Sequence, residues 1–176
     1  GYVTVDQAIR DDGLRDSIEQ MMTQEIAPTL QRPGPEEYRD ELVARFRNPA
    51  LKHRLQQIAM DGSQKLPQRL LGTIRARLDA GLPCARLCFA VAGWMRYLRG
   101  VDEAGLAYPI SDPLADALQA AARIADIDQR VDALLAMEAV FGNDLAKRVE
   151  FVTAVKTFLR SIEEQGVLKA LGNKGT

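Results

Sequence analysis

The residues best suited to chemistry in this 176-residue chain cluster between Arg45 and Arg69, which reads RFRNPALKHRLQQIAMDGSQKLPQR. On a helix running from Asn48 to Asp61, His53, Gln57 and Asp61 fall at i, i+4 and i+8 and share one face. Asp61, Gly62 and Ser63 then make a turn, with Ser63 a candidate cap for the next helix. Lys65 and Arg69 follow, four residues apart, near that helix's start. Cations are disfavoured there by the helix dipole. Two of them beside free backbone N–H groups would suit an anionic or hydroxyl-rich ligand. The competing reading is a solvated basic turn.

Other chemistries are missing from the sequence. Neither phosphate-cradling glycine pattern occurs, G-x-G-x-x-G or G-x-x-x-x-G-K-[ST], and neither does G-x-S-x-G or H-E-x-x-H. His53 is the only histidine, so this chain alone can build no His-based triad and no multi-histidine metal site. Cys84 and Cys88 are four apart and read as small core residues, since a metal there needs two more ligands. Trp94 and Tyr97 read as core or domain-contact residues, and Met21 and Met22 as core filler.

Composition sets the wider bounds. Lys and Arg total 23 against 24 Asp and Glu, for a net charge of −1, and 47% of residues are hydrophobic. At this length a single domain buries about 70% of its unfolded surface, enough for a proper core. The charge balance argues against a dedicated nucleic-acid binder. No apolar run approaches the roughly 20 residues that span a bilayer. Two cysteines are too few for a disulfide scaffold, and no basic-then-apolar leader opens the chain, so the expected compartment is the cytoplasm. A chain that starts at Gly1 with no complete catalytic set reads as part of something larger.

The elements that must position these residues are helical by their spacing. Leu14, Ile18, Met21, Met22 and Ile26 form one stripe, preceded by a Thr4-x-x-Gln7 capping box. Pro28 to Pro35 reads as a connector, after which Pro35 opens a helix with Tyr38, Leu42 and Phe46 inward. Asn48-Pro49 restarts a helix carrying Leu51, Leu55, Ile58 and Ala59 inward. Leu66, Leu70, Ile74 and Leu78 mark the next, closed by Gly81. Leu87, Val91, Met95 and Leu98 mark the most apolar one, closed by Gly100. Asp112-Pro113 restarts the chain after its longest loop, and Val131, Leu134 and Leu135 follow Asp126. Asn143 is the expected cap of the last long helix, with Phe151, Val155, Phe158 and Ile162 inward up to Gly166. A short helix and a loose tail end the chain. The expectation is an all-α domain of about eight to ten helices.

Several runs, in order, resemble the C-terminal domain of the mannitol dehydrogenase family, the long-chain polyol and hexuronate dehydrogenases. They are Tyr38-Arg39-Asp40, Arg45-Phe46-Arg47-Asn48-Pro49 and, most specifically, Ile58 to Pro67 (IAMDGSQKLP). Ala92-Gly93-Trp94, Tyr97-Leu98, Gly100 to Gly105 (GVDEAG) and Asp112-Pro113 continue the likeness, which with the opening Gly1 to Leu30 covers nearly the whole chain. Gln64, Lys65, Gln68 and Arg69 look most like the D-mannonate oxidoreductase, or fructuronate reductase, branch.

The resemblance implies a two-domain enzyme. An N-terminal Rossmann domain, absent from this chain, binds NAD(H), and residues 1–176 form a single helical domain on the substrate side. It implies no metal. It also implies a general acid/base lysine with Asn at +5 and His at +8, a spacing that Lys52, Lys65, Lys147, Lys156, Lys169 and Lys174 all lack. No catalytic or cofactor-binding residue is therefore expected here, and the chain alone is expected to be inactive. Lys65 matches a family contact to a substrate hydroxyl. The family's arginine eight residues earlier is replaced by Gln57, which weakens simple polyol recognition. The expected substrate-binding residues are Lys65, Arg69 and Gln57, supported by the turn Asp61, Gly62 and Ser63. The expected partners are the chain's own Rossmann domain and a small sugar acid or polyol, with no nucleic acid and no membrane. Self-association through the face left bare is also expected. The alternatives are a mannitol/fructose enzyme and a helical packing or oligomerisation module without substrate contact.

Overall fold

The computed structural model describes residues 2–30 and 34–172. Its first six helices are α1 (Val5–Ala8), α2 (Asp12–Gln20), α3 (Pro35–Phe46), α4 (Leu55–Ala59), α5 (Gly62–Leu66) and α6 (Gly72–Asp79). Then come α7 (Ala85–Tyr97), α8 (Ala115–Ala122), α9 (Ile127–Leu135), α10 (Glu138–Phe141), α11 (Val149–Gln165) and α12 (Val167–Gly172). Two of them, α1 and α10, are single turns of four residues. Among the described residues no strand forms, only two isolated backbone bridges, so the all-α expectation holds.

The most apolar helix and the longest one form the axis. Leu87, Val91 and Met95 of α7 share one buried core with Phe151, Val155 and Leu159 of α11. Phe89 and Phe158 meet edge to face across the pair, with ring centroids 5.5 Å apart. Leu118 and Ala122 of α8 and Val131 and Leu134 of α9 extend that core, and α12 folds back against α11 and α2. Gly81 and Gly100 lie beyond the ends of α6 and α7 at φ +64° and +68°, a conformation that stops a helix without steric penalty.

The start of α7 is satisfied from a distance. Its N-cap position, Cys84, offers no side-chain acceptor. Instead Glu25, only 3% exposed, accepts from the backbone N–H of Arg86 and of Leu87, each at 3.0 Å. These are the two N–H groups that a local cap would take. The buried Arg77 completes the joint, donating through Nε to the Pro83 carbonyl (2.6 Å) and through Nη1 to the Glu25 carbonyl (3.1 Å). Glu25 lies four residues after Met21 and seven after Ile18, so it occupies the apolar stripe of the first helical rod.

Two wide turns interrupt the helical rods. Met21–Ile26 continues α2 as a π-helix, and Pro67–Leu71 joins α5 to α6 in the same way. Pro67 has no N–H to donate back into the ladder. The wider turn also serves burial: Leu66, Leu71 and Ile74 point inward, so the first step is five residues rather than four. The regular stripe of Leu66, Leu70, Ile74 and Leu78 is therefore shifted, with Leu70 and Leu78 only partly buried.

Other expectations require correction. The helix from Asn48 to Asp61 does not form. Asn48 caps a 3-10 turn (Pro49–Leu51), accepting from Ala50 N at 3.0 Å, and Lys52 then turns left-handed at φ +42°. The chain is drawn off by the N-terminal segment instead, where Val5 N donates to His53 O (2.9 Å) and Leu55 N to Val3 O (3.0 Å). Leu51 and Ile58 consequently face outward, as does Tyr38 on α3. Asn143 does not cap α11: a 3-10 turn (Leu145–Lys147) intervenes and Arg148 stands at the cap. Next to it Arg75 grips both Asp144 oxygens at 2.7 and 2.9 Å, and that guanidinium lowers the Asp144 carboxyl below its ordinary range. Of the expected connector and tail, residues 31–33 and 173–176 lie outside the described residues.

Replacing Glu25 by Ala leaves two buried N–H groups without an acceptor. Glu25→Ala should lower folding free energy by about 1–3 kcal/mol, read by chemical denaturation. The exposed Glu41→Ala should stay within about 0.5 kcal/mol of the parent.

Candidate functional site

The turn at Asp61 is built by contacts from outside its own segment. Asp61 adopts the left-handed conformation (φ +55°, ψ +35°) that short polar side chains tolerate. Its N–H donates to Ser111 O at 2.9 Å, while its carbonyl accepts from Gln64 N (3.1 Å) and Lys65 N (2.9 Å) to open α5. Gly62 lies against the indole of Trp94, where a Cβ would stand 2.1 Å from Nε1. No other residue fits that approach. Trp94 itself packs edge to face on Phe141, with centroids 6.2 Å apart.

Ser63 is held by a carboxylate 49 residues further on. Its N–H donates to Asp112 Oδ2 at 2.8 Å, and its hydroxyl to Asp112 Oδ1 at 2.6 Å. Asp112 also accepts from Leu114 N at 2.9 Å, so one side chain fixes two segments. The strap leading to Asp112 is stiffened by Tyr97 and Tyr108, stacked at 5.3 Å, with the Tyr108 hydroxyl donating to Tyr97 O (2.9 Å). Among the described residues the buried Tyr97 hydroxyl has no partner. Burial first, and then the Asp112 charge, push this phenol upward from its ordinary value.

These contacts overturn the expected anion cradle. Ser63 is buried inside α5 rather than capping it, and its N–H belongs to Asp112. The next two N–H groups go to Asp61 O, so this five-residue helix does not present a free start.

The three expected substrate residues sit on the surface around this turn. Lys65, half-buried, donates from Nζ to Ile58 O at 3.2 Å, which sets its ammonium beside the residue that follows Gln57. Gln57 is exposed on α4. Arg69 is exposed within the π turn, and among the described residues its guanidinium has no partner. His53 does not share a helix face with Gln57 and Asp61, because it precedes α4 and Asp61 follows it. Lys65, Arg69 and Gln57 line neither of two surface clefts elsewhere. One, of about 270 Å³, adjoins Arg96, Glu103 and Glu163; the other, of about 510 Å³, adjoins Leu82, Cys84 and Glu150. Asp112 and Trp94 are the positioning residues that sequence reasoning missed. Their adjacency to the Asp61 turn carries no local signal, since Asp112 reads as a helix restart and Trp94 as core.

The comparisons with known proteins agree on one family. A family model described as the mannitol dehydrogenase C-terminal domain matches residues 1–163. The uncharacterized oxidoreductase YeiQ of Escherichia coli K12 is 43% identical over 98% of the chain and 36% of its own length. The D-mannonate oxidoreductase of the same organism is also 43% identical, over 94% of the chain and 35% of that protein. Pseudomonas fluorescens mannitol 2-dehydrogenase, solved in a ternary complex with NAD and D-mannitol, superposes with a TM-score of 0.92 at 32% identity. That match covers 98% of this chain and 35% of the other. The chain thus spans about a third of the length of these relatives.

Because Trp94 is the only tryptophan, its fluorescence reports on the turn. Gly62→Ala should shift its emission and lower stability by about 1–3 kcal/mol. Gly72→Ala in α6, where a Cβ meets nothing within 4 Å, should be neutral or stabilising by up to about 1 kcal/mol.

Proposed function

The chain belongs to the mannitol dehydrogenase family, matching its C-terminal domain, and from that membership we propose that it is the substrate-side domain of an NAD-dependent oxidoreductase. The substrate is a sugar acid or polyol interconverted with its keto form, with D-mannonate and D-fructuronate the favoured pair. One observation supports the choice of a sugar acid: Arg69, four residues after Lys65 in the π turn that follows α5, is exposed and has no partner among the described residues.

Each residue has a distinct role in this reading. Lys65 uses one of its three N–H donors on Ile58 O, leaving two for substrate hydroxyls. Arg69 takes the uronate carboxylate, a contact that can be bidentate and that a neutral ketose cannot supply. Gln57 contacts a hydroxyl where the family carries an arginine. Gly62 and Ser63 are buried while Gln57 and Arg69 are exposed and Lys65 is half-buried, so a fixed base presents these three side chains at the surface.

NAD(H), bound by an upstream Rossmann domain, supplies the hydride chemistry, and the acid/base lysine belongs to that upstream part as well. No glycine-rich dinucleotide fingerprint lies in this chain. Residues 1–176 contribute positioning and one wall of the substrate cleft. The exposed apolar residues support such a second wall: among the described residues, Tyr2, Val3, Leu30, Tyr38, Leu51 and Ile58, six of the ten large ones, fall within the first 58 positions. These lie in the same part of the sequence as Gln57 and suit a domain-docking face.

In the full-length enzyme, Arg69→Ala should raise KM for fructuronate at least tenfold, about 1.4 kcal/mol or more, and leave KM for fructose nearly unchanged. Equal effects on both would place Arg69 outside the carboxylate contact and favour a mannitol/fructose enzyme. Separately, residues 1–176 without the upstream domain should associate in light scattering as concentration rises, and a strict monomer would count against a bare docking face.

A further inference from the structure

Cys84 and Cys88 take no part in the substrate reading, and their own chemistry is independent of it. Their sulfurs lie 3.7 Å apart at the start of α7. Cys88 N donates to Cys84 O at 3.0 Å, the helical i to i+4 bond, which sets the two Cα atoms about 6 Å apart. That Cα separation falls inside the range of disulfide-bonded cysteines; closing the sulfurs to about 2 Å takes side-chain rotation together with a shift of the backbone at Cys84, which stands at the N-cap in a non-helical conformation (φ −136°, ψ 39°). Both residues border the cleft of about 510 Å³ formed with Leu78, Leu82, Pro83 and Glu150, and of the two Cys84 is the one with surface open to a small oxidant. Cys84 is 7% exposed and Cys88 1%.

We propose that Cys84 and Cys88 form a peroxide-reactive dithiol that closes to an intrachain disulfide, with Cys84 as the attacking sulfur and Cys88 as the resolving one. The Cys84 thiolate attacks one peroxide oxygen, the O–O bond breaks, and hydroxide leaves. Cys84 is then a sulfenic acid. The Cys88 sulfur displaces the hydroxyl from it, forming the S–S bond, and the Cys88 proton and the hydroxide depart as water. Two thiols lose two electrons to one peroxide, and two waters result.

The order of the two sulfurs follows from their surroundings. The two sulfurs share a hydrogen bond in which either can donate; with Cys84 accepting, it lowers the Cys84 thiol from its ordinary value and raises that of Cys88. Around Cys84, Arg77 favours the thiolate while burial and the Glu25 charge oppose it. Cys84 is also the more exposed of the two.

The experiment exposes the full-length protein in its native state to hydrogen peroxide, removes the peroxide, unfolds the chain in the presence of iodoacetamide so that every remaining thiol is alkylated, and cleaves it with trypsin. Trypsin cuts after Arg86, between the two cysteines. The disulfide therefore joins peptides 78–86 and 87–96 into one species, which separates again on treatment with dithiothreitol. Loss of both alkylated peptides with the appearance of this linked species is the expected result. In Cys88→Ala, dimedone should trap a sulfenic acid on Cys84, whereas Cys84→Ala should leave Cys88 fully alkylatable. The proposal is overturned if both peptides stay alkylated under peroxide that oxidises free cysteine. It is equally overturned if either cysteine pairs with one elsewhere or goes directly to the sulfonic acid. The wild-type map decides the question even if a variant fails to fold.

Discussion

The buried Glu25 carboxylate fixes where α7 begins, and much of the fold follows from that position. Helix α7 needs acceptors for its first N–H groups and has none of its own, so Glu25 ties it to the rod formed by α2 and the π-helix Met21–Ile26. Arg77 makes the same joint from α6, so three rods meet at one point. With its start fixed, α7 presents Leu87, Val91 and Met95 to the core shared with α11 and, two turns after Leu87, Trp94 to Gly62. The geometry of the Lys65 turn is thus inherited from a carboxylate forty residues earlier in the chain.

The same device recurs. Asp112 satisfies the start of α5 through Ser63, and Glu103 accepts from Val167 N at 3.0 Å to satisfy the start of α12. In each case an acid from a distant segment does what a local Ser, Thr, Asp or Asn does at an ordinary helix start. Such contacts are tertiary as well as local: they fix a helix end and dock two parts of the chain at once. Glu163 plays a related part, pairing with Arg99 and Arg130 at 2.6 Å each and lying 3.7 Å from Arg96. Charged groups here are staples between helices, and polar pairing rather than apolar burial alone decides how the rods are aligned.

This division explains what the sequence made legible. Local caps could be read in part: the Thr4–Gln7 box opens α1 and Asn48 accepts from Ala50 N two residues ahead, whereas Ser63 and Asn143 take no such place. The apolar stripes of α7, α9 and α11 could be read too, because their period is set by a regular helix. Glu25 could have been suspected, as an acid lying on an apolar stripe. The break at Lys52 could not, because it depends on Val3 and Val5, some fifty residues earlier, competing for the backbone of residues 53–55. Around the site, the run from Asp61 to Pro67 was visible through family likeness, and Lys65, Arg69 and Gln57 did emerge as surface groups near one turn. The part played by Asp112 and Trp94 was hidden, since proximity across 49 and 32 residues leaves no periodic trace.

The π turn at Pro67–Leu71 has a meaning in terms of insertion and deletion. It holds one residue more than the α-helical turn it replaces, so it records a single extra position in an otherwise continuous rod. Each residue of an α-helix advances the rotation by about 100°. Losing one residue between Leu66 and Leu71 would turn the wide turn into an ordinary α-helical one, whose four-residue step of about 400° still points both ends toward the core. A relative that keeps the DGSQK letters but drops one residue after Pro67 would therefore keep the Lys65 end aimed much as here and lose only the widened turn around Arg69.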